Sequence, residues 1–325
     1  MAVDFHQLIG RNKRNSRLLI VLFVLFVALL GLVIGYATGV YSGGPELAPV
    51  FAAGMTGIAL LIALISVTGS YFGGASAILR MSGARPIARR DDPQLYNVVE
   101  EMAIAAGVPP PKVYLINDTA PNAFATGRDP QHAVVAITSG LRSKLKRDEL
   151  QGVIAHEIAH IRNFDIRFAV LMATLVGVVV LLCDMFLRSM WWGGFGGSRR
   201  YRSSRSRRAG GKGGGAAALI IMVIALVLAI IAPLLAKLIE MAFSRQREYL
   251  ADASAVEFTR NPDGLAGALA RISSDPEVLE VANRATAPMY IVHPIKNFEK
   301  RASSIMDSHP PIKDRIKRIL SLTTA

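Results

Sequence analysis

The sequence predicts a mainly α membrane protein: transmembrane helices plus a cytoplasmic α+β domain with a small antiparallel sheet. Three observations point there. Of the 325 residues, 52% are hydrophobic, and the mean hydropathy is +0.37, too apolar for a water-soluble domain of this size. The apolar residues gather into four long segments. The remaining chain carries helical periodicity and short strand-like runs in two blocks.

The first two segments, Leu18–Tyr41 and Val50–Phe72, are each long enough for a helix to cross a hydrocarbon core of about 30 Å. A basic leader, residues 1–17 with Arg11, Lys13, Arg14 and Arg17, precedes the first. Its apolar run exceeds the roughly 7–15 residues of a signal-peptide core and ends without a small-residue cleavage site, so a retained signal anchor is expected. The third segment, Phe168–Leu187, carries Asp184; the fourth, Ala216–Phe243, carries Pro233, Lys237 and Glu240. The expected order is a membrane hairpin at 18–79, a first soluble block at 80–164, a second apolar hairpin at 165–243 and a second soluble block at 244–325.

Charge sets the orientation. Arginines flank the first hairpin on both outer sides, with Arg80, Arg85, Arg89 and Arg90 following it, while the loop at 42–49 holds only Glu46. The positive-inside rule then places the N-terminus and both soluble blocks in the cytoplasm. The basic Gly/Ser/Arg loop at 188–215 breaks the pattern, and two topologies fit it: a full crossing, or a shallow hairpin with its loop inside. Both return the chain to the same side. The formal charge of +13 reads as attraction to anionic lipid; no nucleic acid is expected. The single cysteine, Cys183, permits no internal disulfide.

In the first block, Asp92–Ala106 reads as a helix with Pro93 in its first turn and Gly107 after its end. Strand-like runs follow at Val113–Ile116, Ala123–Thr126 and Ala133–Thr138, the last two joined as a hairpin through Gly127–Gln131. A helix pattern starts at Asp148. The second block has helical patterns at Glu248–Thr259, Leu265–Ser273 and Asp314–Leu320.

Inside the Asp148 helix stands His156-Glu157-Ile158-Ala159-His160. Residues four apart lie on nearly one helix face, so the two imidazoles can converge on one ion. Glu157 sits one step round, within reach of an attacking water without ligating the metal. Two imidazoles and a carboxylate suit one catalytic Zn2+ per chain with an open position. Asn163 and Ile166 stand where a longer motif would place glycine and a third histidine, so the third ligand lies elsewhere. Glu248 is the candidate, and Asp252, four residues on, can accept a hydrogen bond from a ligating histidine. From spacing alone these two also fit a solvated acidic face. Asn122 fits either a substrate-backbone contact or a turn, and Asp165 either a brace for the active helix or an interfacial charge.

The chain resembles the HtpX family of bacterial integral-membrane metallopeptidases, relatives of the eukaryotic CAAX prenyl endopeptidase. The matching pieces are Pro121-Asn122-Ala123-Phe124-Ala125, the His156–His160 helix followed by Asn163 and Asp165, Arg247–Asp252, and Ser308-His309-Pro310-Pro311 followed by Arg315. The resemblance implies a zincin-like (gluzincin) catalytic domain, Glu248 as third zinc ligand, and Glu157 as general base. It also brings His309 and Arg315 near the metal as candidate oxyanion donors. It further implies a bacterial inner-membrane endopeptidase acting on misfolded or membrane proteins during stress. Two alternatives stand beside it. One is a processing peptidase for a defined sequence. The other is a non-enzymatic scaffold or transporter using Asp184, Lys237 and Glu240 for ion passage.

Overall fold

The structure, a computed structural model, describes residues 5–175, 177–178, 245–280, 289–292 and 310–322. Half of the third apolar segment, all of the fourth, the basic loop between them and His309 lie outside these residues. The chain divides into two compact units. One is built from Met1–Leu18, Gly69–Ala173 and Leu238–Ala325, the other from Leu19–Thr68 and Thr174–Lys237.

Two long helices open the chain, α1 (Phe5–Gly43) and α2 (Ala48–Met81). Both are long and apolar enough to cross a membrane by length and composition. Within the second unit their contact is made of small residues. Gly31, Gly35 and Gly39 recur every four residues on one face of α1. A Cβ on Gly31, Gly35 or Gly39 would lie 2.5 Å from the Ala59 Cβ, the Phe51 carbonyl oxygen and the Ala48 Cα respectively. Dispersion over such close backbones is what joins helices in lipid, where burying apolar surface gives no advantage. Leu25, Leu29, Leu32, Leu61, Leu64 and Ile65 remain exposed on the outer faces.

The first unit is a mixed sheet against helices. Its strands are β1 (Arg85–Pro86), β2 (Lys112–Ile116), β3 (Ala123–Gly127) and β4 (Ala133–Thr138), in spatial order β1-β2-β4-β3. β3 and β4 form the expected antiparallel hairpin. The expectation of an all-antiparallel sheet fails at β2, which pairs with β4 in parallel register, Val113 opposite Val135 and Leu115 opposite Ile137. The cause lies in the stretch 117–122. It crosses the end of β4 and delivers β3 to that strand's far side. Thr138 Oγ1 donates to the Ala120 carbonyl at 2.7 Å, and the Gly140 and Ser139 donors meet the Asp118 carbonyl at 2.9 and 3.0 Å. The crossing needs Gly140: a Cβ there would sit 1.9 Å from the Thr119 oxygen.

β4 is buried on both faces, which explains its unbroken Ala-Val-Val-Ala-Ile run. Val135 and Ile137 join one core with α3 (Pro93–Ala106) and α5 (Arg147–Arg162); Val134 and Ala136 join a second with Ile78, Phe124, Val170 and Tyr290. α3 starts on the Asp92 side chain and stops at Gly107, whose φ of 69° suits glycine. A short helix α4 (Ser139–Lys144) links β4 to α5. Then follow α6 (Arg245–Thr259), α7 (Pro262–Ser274) and α8 (Ile312–Ser321). α5 packs on α3, α6, α7 and β3. Gly152 lets α7 come close; a Cβ there would lie 2.7 Å from the Leu265 nitrogen.

Candidate metal centre

Because helices and sheet surround α5, polar side chains in its last two turns are buried. His156 and Glu157 are 1% and 2% exposed. Such groups are stable only where partners meet them, and His156 has two carboxylates beside it. His156 and His160 project from the same face, their Nε2 atoms 3.2 Å apart. Two nitrogens bound to one tetrahedral ion at about 2.0–2.1 Å lie about 3.3 Å from each other. From α6, Glu248 brings Oε1 to 3.6 Å from His160 Nε2 and Oε2 to 3.8 Å from His156 Nε2. The three residues form a group able to hold a metal ion, and their two imidazoles and carboxylate fit a divalent transition metal.

The outer nitrogens are taken. Nδ1 of His156 lies 3.0 Å from Asp252 Oδ1, and Nδ1 of His160 lies 3.0 Å from Asp165 Oδ2. A carboxylate there fixes the proton on Nδ1 and leaves the Nε2 lone pair for the metal. Asp252 follows Glu248 by one helical turn, so one face of α6 supplies both a ligand and a brace. Asp165 reaches back because the chain reverses at Phe164, which adopts φ 60°. That left-handed conformation is uncommon for a bulky residue. The Phe164 ring is covered by Lys13 at 4.3 Å and Arg167 at 4.9 Å.

Arg315, at the start of α8, is 1% exposed. Its Nε and Nη2 donate to the two oxygens of Asp252 at 2.9 and 2.7 Å, and Nη1 donates to the Ile291 carbonyl at 3.0 Å. Nη1 also lies 3.5 Å from Glu248 Oε2. Every nitrogen of the guanidinium already faces an acceptor. Asp165 is likewise shared: Asn12 Nδ2 donates to its Oδ1 at 2.6 Å and to the Asn163 carbonyl at 2.8 Å, while Arg247 approaches to 3.7 Å. When ionised, Glu157, Glu248, Asp165 and Asp252 outnumber Arg247 and Arg315 by two charges, which a divalent cation would balance.

Protonation differs across the centre. Burial pushes Glu157 up to about 7, with His160 pulling it down and Glu248 pushing it up. Burial also dominates at His156 and holds it below its ordinary value, Arg315 adding to the effect against Asp252. At His160 burial acts downward but is outweighed by Asp165, Glu248 and Glu157, which lift it to about 9. Burial would raise Asp252, yet Arg315 and His156 keep it below the usual carboxylate range.

β3 runs beside the centre as an edge strand. Its even-numbered residues face β4, as the bond from Thr138 N to the Asn122 carbonyl shows. Its odd-numbered backbone groups face outward: the Ala123 carbonyl accepts from Ile291 N at 3.0 Å, and the Ala125 amide favours the charged form of Glu157. The Asn122 side chain donates to the Val292 carbonyl at 2.9 Å, so its amide is occupied by the chain itself.

Of the sequence-derived candidates, the structure brings His156, Glu157, His160, Glu248, Asp252, Asp165 and Arg315 together. It sets Asn122 at the near end of β3. His309 lies outside the described residues. Sequence reasoning missed Asn12, which no motif marks, and Arg247, whose place next to Glu248 was the available signal.

The model of peptidase family M48 matches residues 89–323. A protease HtpX homolog of Listeria monocytogenes serotype 4b is 44% identical over 313 residues, covering 96% of this chain and 97% of that protein. Protease HtpX homologs of Lactobacillus helveticus and Dictyoglomus turgidum are 41% and 40% identical, each over 97% of this chain and over 98% and 94% of their own lengths. The crystal structure of S. mikatae Ste24p aligns with a TM-score of 0.47 at 20% identity, over 80% of this chain and 57% of that one.

Proposed function

The chain belongs to peptidase family M48 and is a membrane-bound metalloendopeptidase, and from that premise we propose that His156, His160 and Glu248 hold a single catalytic zinc ion. The observation that carries this reading is the convergence of the three donors while Asp252 and Asp165 occupy the outer imidazole nitrogens. Zinc, when bound, supplies a Lewis acid that polarises the scissile carbonyl and acidifies water to a pKa of about 7.

The chain's own groups do the rest. Glu157 takes the proton of the attacking water and delivers it to the leaving amine. A carboxylate whose burial lifts it to about 7 is suited to both transfers near neutral pH. Arg315 holds Asp252 and Glu248 in place and balances their charge, acting through these groups and not on the substrate. An extended peptide adds along the outward edge of β3, with Asn122 fixing the segment 289–292 at the end of that edge. His309 is kept as a candidate oxyanion donor on the strength of the resemblance alone.

His160 stands only eight residues before the third apolar segment, which supports a centre close to the membrane surface. With the arginine pattern, this favours a multi-pass protein of the bacterial inner membrane whose catalytic domain faces the cytoplasm. Its substrates are then membrane or misfolded proteins. The test is zinc stoichiometry and casein cleavage by the full chain in detergent, wild type beside Glu157→Gln. The variant should keep one zinc and lose about 10²–10⁴-fold in kcat. Equal cleavage by both would defeat the mechanism.

A further inference from the structure

The leader before the first apolar segment is more than a string of positive charges. Asn12 is 5% exposed, and both hydrogens of its amide are committed, one to the Asn163 carbonyl and one to Asp165 Oδ1. Both acceptors belong to the turn that ends α5. The other oxygen of the same carboxylate meets Nδ1 of His160. Asp165 has a choice of orientations about its side-chain torsions, and only one presents Oδ2 to the imidazole. The neutral Asn12 amide selects that orientation without changing the charge, and its second hydrogen bond ties the backbone of the strained turn to the same point. Lys13 covers the Phe164 ring beside it, while the next buried polar residue of α1, Ser16, bonds among the described residues to its own helix through the Asn12 carbonyl.

We infer that Asn12 is a positioning residue for the metal ligand His160, acting through Asp165, so that the base of the first apolar helix helps set the geometry of the metal centre. The inference rests on the assignment of His160 as a ligand braced by Asp165. Its mechanism is a two-step relay, amide to carboxylate to imidazole. Asn12→Leu removes both donors while keeping the branched heavy-atom skeleton; Asn12→Asp keeps the shape but sets a second carboxylate against Asp165; Asn12→Ser retains one donor.

The experiment uses the full chain in detergent, loaded with zinc and transferred to excess chelator, with the rate of zinc loss as readout. Braces of metal-bound histidines usually change affinity by about 10–100-fold, so a residue one step further out should speed loss by about three- to tenfold. Asn12→Leu should do this, Asn12→Asp should do more, Asn12→Ser should recover part of the retention, and Ser16→Ala should match wild type. The visible bands of Co2+ in place of zinc, which follow ligand geometry, should shift in Asn12→Leu and not in Ser16→Ala. Should Asn12→Leu not accumulate, the Asp and Ser variants carry the comparison. Asp165→Ala separates the two levels of the argument. If it loosens zinc while the Asn12 variants retain it with an unchanged cobalt spectrum, the relay is wrong and the brace stands. If neither loosens zinc, the brace and the relay fall together.

Discussion

The two histidines of the metal centre differ by one helical turn and very little in first contacts, yet they sit in opposite electrostatic settings. Each presents Nε2 to the same point and has a carboxylate 3.0 Å from Nδ1. Behind Asp252 stands the buried guanidinium of Arg315; behind Asp165 stands the neutral amide of Asn12, with Arg247 further off. Burial, with the Arg315 charge adding to it against Asp252, holds His156 below its ordinary value. At His160 burial is outweighed by Asp165, Glu248 and Glu157, which lift it to about 9. The lesson is that two like braces can sit in unlike fields: an Asp–Arg pair stands behind the imidazole held low, while Asp165, Glu248 and Glu157 together surround the one held high.

Breaking the Arg315 side should have the largest effect. Asp252→Ala leaves a guanidinium buried at 1% exposure without its bidentate partner, and losing half of a buried ion pair costs about 3–5 kcal/mol. Thermal unfolding should show it, with zinc lost as well. Breaking the other side should be milder for the fold. Asp165→Ala should lower zinc affinity by about 10–100-fold in chelator competition, with a much smaller change in the unfolding midpoint.

Titration sharpens the contrast further. Zinc must displace the His160 proton, so its affinity should level off above pH 9 and fall by about one decade per unit below it. A flat profile between pH 6 and 9 would remove the distinction between the two histidines. In the metal-free protein the two sides should contribute stability in opposite windows. The Asp252 contribution, from a depressed carboxylate, is present above its unfolded value near 4 and is lost as pH falls. The His160 contribution, from a raised imidazole, is full below its unfolded value near 6.5 and is lost as pH rises through about 9.

What the sequence makes visible follows how locally each feature is encoded. The pairing of His156 with His160 is fixed by helical period alone, and α3 by Asp92, Pro93 and Gly107 at its ends. Glu248 is a long-range partner; spacing leaves it ambiguous, and only its companion Asp252 and the family resemblance single it out. The parallel pairing of β2 with β4 depends on where a six-residue crossing lands, which strand propensity does not encode. Asn12 looks like an ordinary polar residue among basic ones, because its role exists only once the turn at Phe164 has folded against it. Gly31, Gly35 and Gly39 were legible in principle: their four-residue spacing is a known packing signal in apolar helices.

The crossing permitted by Gly140 has a consequence for selection. It leaves β3 at the rim of the sheet, where beyond Ala123, already bonded to Ile291 and Asn122, the odd-numbered backbone groups turn outward. A chain lying along that rim would be recognised by amides and carbonyls that every residue carries, so side-chain identity would count for little. A segment still wound in a helix has spent those groups on itself and has none to offer. Discrimination of this kind reads whether a polypeptide has come undone, not how it is spelled.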